Sequence, residues 1–361
     1  MTKLPTSSAS CIRCVLRFED DPDLSLDENG YCRWCREWDS RANERRVTQL
    51  DRPWLIYQIK RDGQGREYDA VIGLSGGVDS SLALHYAVVD QGLRVFAYNV
   101  DNGYNTPEAD ENIMRIVEEL DVPFHSSVLD RKKFDELYRA YIKSGLKNLE
   151  VTTDHFINAV GYEMARKHNV KCILSGANLA TESVLPPHYG YQARDVTQIR
   201  SIHRLGTGKP LVGLPTLSLG QYLWYRNIKH IKVVPLLDCY DYNRTEAILL
   251  LMHTYGYKEY GQKHGENRLT KWFQEVYLPQ KFGLDKRRPH LSSLILSEQM
   301  TKHEAEKTLQ KPLDNTPCPI PDAPDWPSIP PHDWSDYPNE AAAWDRWGRF
   351  FKVAKKLGWK A

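Results

Sequence analysis

The stretch Tyr68–His85, YDAVIGLSGGVDSSLALH, limits what this chain can fold into more than any other. Tyr68–Leu74 is a short, apolar, β-branched run of the kind that forms a buried parallel strand. Ser75-Gly76-Gly77 is a turn whose missing side chains let backbone N–H groups come close to a ligand. From Val78 to Asp90 the apolar residues Leu82, Leu84, Ala87 and Val88 fall at helical spacing. A strand feeding a glycine-rich turn at a helix N-terminus is a ready anion site. Two other nucleotide loops are excluded. The only Gly-Lys pair, Gly208-Lys209, runs into Pro210, and no Gly-x-Gly-x-x-Gly follows a strand.

The hexapeptide Ser75-Gly76-Gly77-Val78-Asp79-Ser80 resembles the pyrophosphate loop of the ATP-pyrophosphatases. That resemblance implies that these six residues bind ATP, which is cut to AMP and pyrophosphate. Ser75, Gly77 and Ser80 would contact phosphate and Asp79 would hold a magnesium ion. The bland alternative is an ordinary strand–turn–helix crossover.

Further strands are expected at Arg94–Val100, Phe124–Val128, Lys171–Ser175 and Ile231–Leu236. Helices are expected from Thr106-Pro107 to about Leu120, from Arg131 to about Ser144, and from Asp154 to Lys167. This alternation predicts an α/β fold with a doubly wound, mostly parallel sheet, in which ligands lie beyond the strand C-termini. Two such ends are polar. The turn Asn99-Val100-Asp101-Asn102-Gly103 is either an adenosine contact, as in the pyrophosphatases, or a plain polar turn. Ser175-Gly176-Ala177-Asn178 and Glu182 offer Gly176 and Asn178 to ATP and Glu182 to metal or substrate, or else simply cap a helix.

Seven cysteines are present, an odd number that argues against a disulfide framework. Cys11-x2-Cys14 and Cys32-x2-Cys35 form two knuckles, and two such pairs close a four-sulfur metal site. A structural zinc ion is the expected occupant, with an iron–sulfur cluster as the alternative. Asp39–Arg52 reads as a helix or linker out of this module. The remaining composition is that of a soluble globular protein: 41% hydrophobic, 26% charged, and 48 basic against 47 acidic residues. That balance gives no push towards nucleic acid. No apolar run approaches the ~20 residues of a membrane span. The opening MTKLPTSSAS lacks a signal-peptide core, so a cytoplasmic location is expected.

Leu185–Gly208 shows little periodicity and reads as a long loop carrying His188, Tyr191, Asp195, Arg200 and His203, either a substrate loop or plain surface. Lys263-His264-Gly265-Glu266 precedes a helix-like Leu269–Leu278. Lys286, Arg287 and Arg288 beside His290 suit phosphate, or form a solvated charge run. Pro312–Pro338 reads as an extended strap on the body, and Ala341–Leu357 as a helix whose aromatics Trp344, Trp347, Phe350 and Phe351 dock on the protein. The expected units are residues 1–45, a zinc module; 46–256, the nucleotide domain; 257–310, a helical substrate- and phosphate-binding region; and 311–361, the strap and terminal helix.

From Cys11 to about Leu309 the chain resembles the N-acetyl sugar amidotransferases of surface-polysaccharide biosynthesis. The resemblance rests on the paired knuckles, SGGVDSS (Ser75–Ser81), SGANLATES (Ser175–Ser183), KHGE (Lys263–Glu266) and FGLDKRRPHLSSLI (Phe282–Ile295). Asn267 stands where that family has Ser, and Glu298 where it has Gly. The resemblance implies that ATP adenylates an acetamido oxygen of a nucleotide-linked sugar and that ammonia then gives an acetamidino group. Asp79 and Glu182 would serve the metal, and Lys263, His264, Lys286 and Arg287 the phosphates or the sugar. Residue 2 is Thr, not the Cys of a class II glutaminase, so a partner glutaminase is expected to supply ammonia, with a barrel-shaped partner as a possible channel. Two competing readings are a tRNA-thiolating enzyme and a nucleotide-sensing subunit without catalysis.

Overall fold

The computed structural model describes residues 10–190, 193–261 and 263–356. Residues 1–9, Tyr191 and the end of the terminal helix beyond Lys356 lie outside the described residues, as do the side chains of Phe351 and Val353. The strands are β1 (Ala70–Gly73), β2 (Val95–Asp101), β3 (Phe124–Val128), β4 (Cys172–Ser175) and β5 (Lys232–Pro235), close to the expected bounds. They form one wholly parallel sheet in the order β3-β2-β1-β4-β5.

The central strand β1 is buried on both faces, which is why its sequence is continuously apolar rather than alternating. Ala70 and Ile72 pack with Leu82, Ile113 and Leu251 from the helices Val78–His85, Pro107–Glu119 and Arg244–Tyr255. Val71 faces the other way, onto Val160 and Tyr222 of the helices Val151–Lys167 and Leu219–Asn227. The chain winds outwards from β1 to β3, returns, and then adds β4 and β5 on the opposite side. The switch therefore falls between β1 and β4, and their C-terminal ends, Ser75–Ser80 and Ser175–Asn178, open on one crevice.

Some elements differ from expectation. Leu185–Gly208 is not a structureless loop, because Val196–Thr207 is a helix. Asp195 caps it by accepting from the Gln198 N–H, and Val196, Ile199 and Ile202 form its buried stripe. Polar and cationic residues interleave that stripe closely enough to hide it in the sequence. The first helix starts at Arg33, inside the second cysteine knuckle, and runs to Leu50. Trp344 docks as expected, against Tyr222, whereas Trp347 and Phe350 stay 39% and 50% exposed.

The strap does lie on the body. The His332 N–H donates to Gly145 O at 3.1 Å, the Tyr337 hydroxyl donates to Ser144 O at 2.7 Å, and the Lys281 ammonium reaches Trp326 O at 2.8 Å. The two residues that depart from the amidotransferase pattern both have a physical reading. Asn267 caps the helix starting at Arg268 by accepting from the N–H groups of Leu269 and Thr270, a role Ser also fills. Glu298 sits at φ +60°, a conformation in which Gly costs nothing and other residues are strained.

Candidate functional site

The loop after β1 is held from behind. Gly76 has φ +77°, and a Cβ there would lie 2.3 Å from Ala109 O, so only Gly fits. The Asn99 amide donates to Leu74 O at 2.9 Å, and the Ser80 hydroxyl meets Ser75 N at 3.2 Å and Gly77 O at 3.2 Å. Across the switch point, a Cβ on Gly176 would lie 2.7 Å from the Asp79 carbonyl carbon and the Ser80 nitrogen. The β4 end thus touches the backbone that begins the loop's helix.

The segment 263–268 reaches the loop because it is stitched to the turn after β2. The Thr106 N–H donates to Glu266 O, and the Arg268 N–H donates to Tyr104 O, each at 2.9 Å. The Asn267 amide meets Asn102 Oδ1 at 3.0 Å. His264 adopts φ +61°, local strain of a kind that gathers at functional sites.

A compact charge cluster results. Lys263 Nζ lies 2.9 Å from Glu182 Oε1, 3.4 Å from Asp79 Oδ2 and 2.7 Å from Thr181 Oγ1. The other Asp79 oxygen accepts from the Tyr242 hydroxyl. Burial opposes the Lys263 charge, yet the carboxylates of Asp79 and Glu182 outweigh it and hold the ammonium above its ordinary pKa. Burial likewise opposes ionisation of Glu182, and Lys263 and His264 overcome it. Glu266 Oε1 stands 3.5 Å from Ser75 Oγ, and Oε2 is buried with no hydrogen-bond partner among the described residues. Beside it, at 3.9 Å, His264 is held above its ordinary pKa, burial being outweighed by the Glu266 carboxylate.

Asp154, Lys286 and His290 adjoin this cluster. Asp154 is solvent-exposed, yet desolvation by the atoms around it and the Glu150 charge push its pKa up to about 7, against His264 and Lys286. Burial lowers Lys286, against Glu150, Asp154 and Glu182. The His290 imidazole donates to Thr181 O at 3.1 Å, and burial and the Lys263 charge push it down to about 3, so it stays neutral.

Of the residues singled out in the sequence, Ser75, Gly76, Gly77, Val78, Asp79, Ser80, Gly176, Glu182, Lys263 and His264 come together, and the Lys286 charge acts on Glu182 and Lys263. Arg287 does not join them. Its guanidinium grips Asp285 at 2.8 Å and the carbonyls of Lys311 and Leu309 at 2.9 and 3.3 Å. Asn178 caps a short helix through Thr181 N, and the Asp101 carboxylate accepts from the Gly103 N–H at 2.7 Å. Tyr242, Asp154 and Glu150 were not legible as site residues. Asp154 lies in the first turn of its helix, and Tyr242 follows β5, so the rule of searching beyond strand ends points only to Tyr242.

The four knuckle cysteines are buried and their sulfurs lie within 4.8 Å of one another, the only such cluster among the described residues. The Cys11–Cys35, Cys32–Cys35 and Cys14–Cys32 separations are 3.5, 3.5 and 3.7 Å. A tetrahedral ion at ~2.3 Å from each sulfur requires edges of about 3.8 Å. The cage fits one ion and is too tight for several irons. Cys14 and Cys32 N–H groups point to Cys11 Sγ at 3.5 and 3.3 Å, which favours its thiolate. The module packs against the site through the helix Arg287–Leu296: Val15 N meets Ser292 Oγ at 3.4 Å, Arg288 donates to Val15 O at 2.9 Å, and Val184 N donates to Ser293 Oγ at 3.0 Å.

A parallel sheet with SGGVDS at the end of its central strand, facing a second Gly-containing turn across the switch point, has the arrangement expected of a pyrophosphate loop. Residues 266–350 match the family described as LPS biosynthesis protein WbpG-like, C-terminal domain. The matched segment begins at Glu266 in the cluster and runs on through the strap, which the motif resemblance had left out. No curated protein matches in sequence. Structurally similar chains include an NH3-dependent NAD synthetase from Campylobacter jejuni (16% identity, 58% of this chain and 93% of that one, TM-score 0.30). Others are the U34-tRNA thiolase NcsA of Methanococcus maripaludis (15%, 86% and 92%, 0.35) and an NMN synthetase from Francisella tularensis (13%, 76% and 98%, 0.31). Likeness this weak says nothing about activity. No helix among the described residues is long and apolar enough to cross a membrane.

Proposed function

We propose that this chain is an ATP-dependent amidotransferase that converts an acetamido group of a nucleotide-linked sugar to an acetamidino group in surface-polysaccharide biosynthesis. The observation that carries this reading is the junction of two parts. A WbpG-like segment starts at Glu266, and that carboxylate stands against Ser75 of the ATP loop. In the reaction, the acetamido oxygen attacks the α-phosphorus of ATP and pyrophosphate leaves. Ammonia then attacks the imidate carbon, the C–O bond breaks, and AMP departs with that oxygen while one proton is released. A partner glutaminase would supply the ammonia.

The donor set fits a hard cation and a polyphosphate: Asp79 and Glu182 supply carboxylates, and Gly77 leaves open the place where Ser75 Oγ, Glu266 Oε1 and Tyr260 OH converge, each 3.1 Å from where its Cβ would stand. Asp79 and Glu182 are the residues that would hold a magnesium ion, which would supply charge neutralisation for the phosphates of ATP. Tyr242 fixes the Asp79 rotamer, and Lys263 screens the two carboxylates from each other. Asp154 takes the proton of the attacking ammonia. The four cysteines hold a zinc ion with a structural role.

The direct test is mass spectrometry of candidate nucleotide sugars incubated with ATP and ammonia. Replacing an acetamido oxygen by NH lowers the mass by about one unit. Products unchanged in mass, with ATP still cleaved, would remove the amidation reading and favour a thiolation-type substrate.

The role of Asp154 makes a pH prediction. The amidation rate should rise as pH passes about 7, and in Asp154→Asn the step should vanish with a loss of about 10²-fold. The stability sign follows too. Between the ordinary Asp value and about 7 the folded state keeps a proton that the unfolded chain has released, so stability falls as pH rises through that window. Melting temperatures of Asp154→Asn should lack that decline. A variant with an unchanged pH–rate profile would exclude Asp154.

A further inference from the structure

The strap lines a cavity of about 100 Å³ to which none of the groups named in the proposed reaction contributes. Its walls include Lys147 and Asn148, His188, and His332, Asp333 and Trp334 of the strap. Lys147 Nζ lies 3.1 and 3.3 Å from the two ring nitrogens of His188. Among the described residues no carboxylate is paired with this half-buried ammonium. Burial lowers the pKa of both groups, and the Lys147 charge lowers that of His188 further. Asp333 acts on both from a distance, but its Oδ1 accepts from the Ser335 N–H and hydroxyl at 3.0 and 2.7 Å. Asp21 and Asp23 also act on His188, and Asp21 is itself paired with Arg33 at 2.9 Å.

A half-buried ammonium held against an imidazole is costly, and an anion offsets the cost. Val151 lines the same cavity and opens the helix Val151–Lys167, whose first N–H groups have no partner within the helix. The cavity also borders the cleft. His188 precedes Tyr189, whose ring lies 5.1 Å from the Lys286 ammonium, and Val151 follows Glu150, whose charge acts on Lys286.

We propose that this cavity is an oxyanion subsite, with Lys147 and His188 as donors, that takes a phosphate or carboxylate group of a ligand lying in the adjoining cleft. That the ligand is the sugar substrate rests on the amidotransferase reading; the binding of an anion does not.

The test is titration of the full-length protein with inorganic phosphate and, separately, with acetate, followed by NMR of its ¹³C-labelled histidine rings. The His188 signal is assigned with His188→Gln. A saturable shift of that signal is expected, weakened about tenfold in Lys147→Met, kept in Lys147→Arg, and kept in Asp79→Ala. Saturation by phosphate alone marks a phosphoryl site, and by acetate a carboxylate site. A His188 signal that neither anion moves, or that moves equally in Lys147→Met, overturns the proposal. So does a phosphate response lost in Asp79→Ala, which would place the anion on the loop after β1. Since no arm uses ATP, failure of the amidotransferase reading leaves this result standing.

Discussion

Asp79→Ala should lower ATP–pyrophosphate exchange by a factor of about 10³ or more, while the protein stays folded. Both carboxylate oxygens of Asp79 are engaged, one by the Tyr242 hydroxyl and the other by Lys263 at 3.4 Å. Its side chain is nevertheless 22% exposed, so removal opens no sealed cavity. Without it Lys263 retains Glu182 at 2.9 Å as its partner, and the charge that positions a cation beside the loop is halved. Tyr242→Phe separates holding from chemistry. It removes only the hydrogen bond that orients Asp79, and exchange should fall by about tenfold, the worth of one hydrogen bond to a charged group. The measurement is incorporation of labelled pyrophosphate into ATP in the presence of sugar substrate, with circular dichroism as the folding control. Exchange at the wild-type rate in Asp79→Ala would remove Asp79 from the chemistry. A Tyr242→Phe protein as impaired as Asp79→Ala would mean that the hydroxyl does more than orient.

The sheet was legible because β1, β2 and β4 are buried on both faces, and burial of that kind leaves an apolar run that no surface residue interrupts. The loop was legible because Gly76 and Gly176 answer to backbone atoms rather than to side chains, so no other residue type fits. What stayed hidden depends on contacts made across long stretches of chain. Lys286 and Arg287 look equivalent in sequence, yet successive residues at a helix start point about 100° apart. One enters the cleft, and the other turns back to Asp285 and the carbonyls at the end of the helix Lys302–Leu309. Tyr242 meets Asp79 only after β5 has been laid beside β4, and Asp154 becomes a candidate only because Glu150, His264 and Lys286 converge on it. Ile199 and Ile202 pack with residues of the helix Arg131–Lys143, but Arg200 and Arg204 interleave the stripe and make it read as loop.

On the proposal that the four cysteines hold a zinc ion, a strong chelator or Cys35→Ser should disorder the module and cripple the site beyond it. Four buried thiols with sulfurs within 4.8 Å are the arrangement that a tetrahedral ion holds, and a unit this short lacks the core to fold alone. In such modules the free energy of metal binding is folding free energy. The damage should spread because the module is one of the supports of the helix Arg287–Leu296. Ser292 and Ser293, fully buried, tie that helix to Val15 on one side and to Val184 on the other, and Lys302 donates to Cys11 O at 2.8 Å. The same helix presents His290 to Thr181, next to Lys263 and Glu182. The expected outcome is loss of one equivalent of metal, a new low-temperature step in the melting curve, and about a 10–100-fold fall in pyrophosphate exchange, as when the outer support of a site is removed. On the zinc proposal, elemental analysis should find one equivalent of zinc in a protein without visible absorbance, the sulfur spacing having room for one ion. A brown protein carrying several irons would contradict the single-ion reading of the cage. Metal-free protein that melts and turns over like the wild type would show that the module does not brace the site at all.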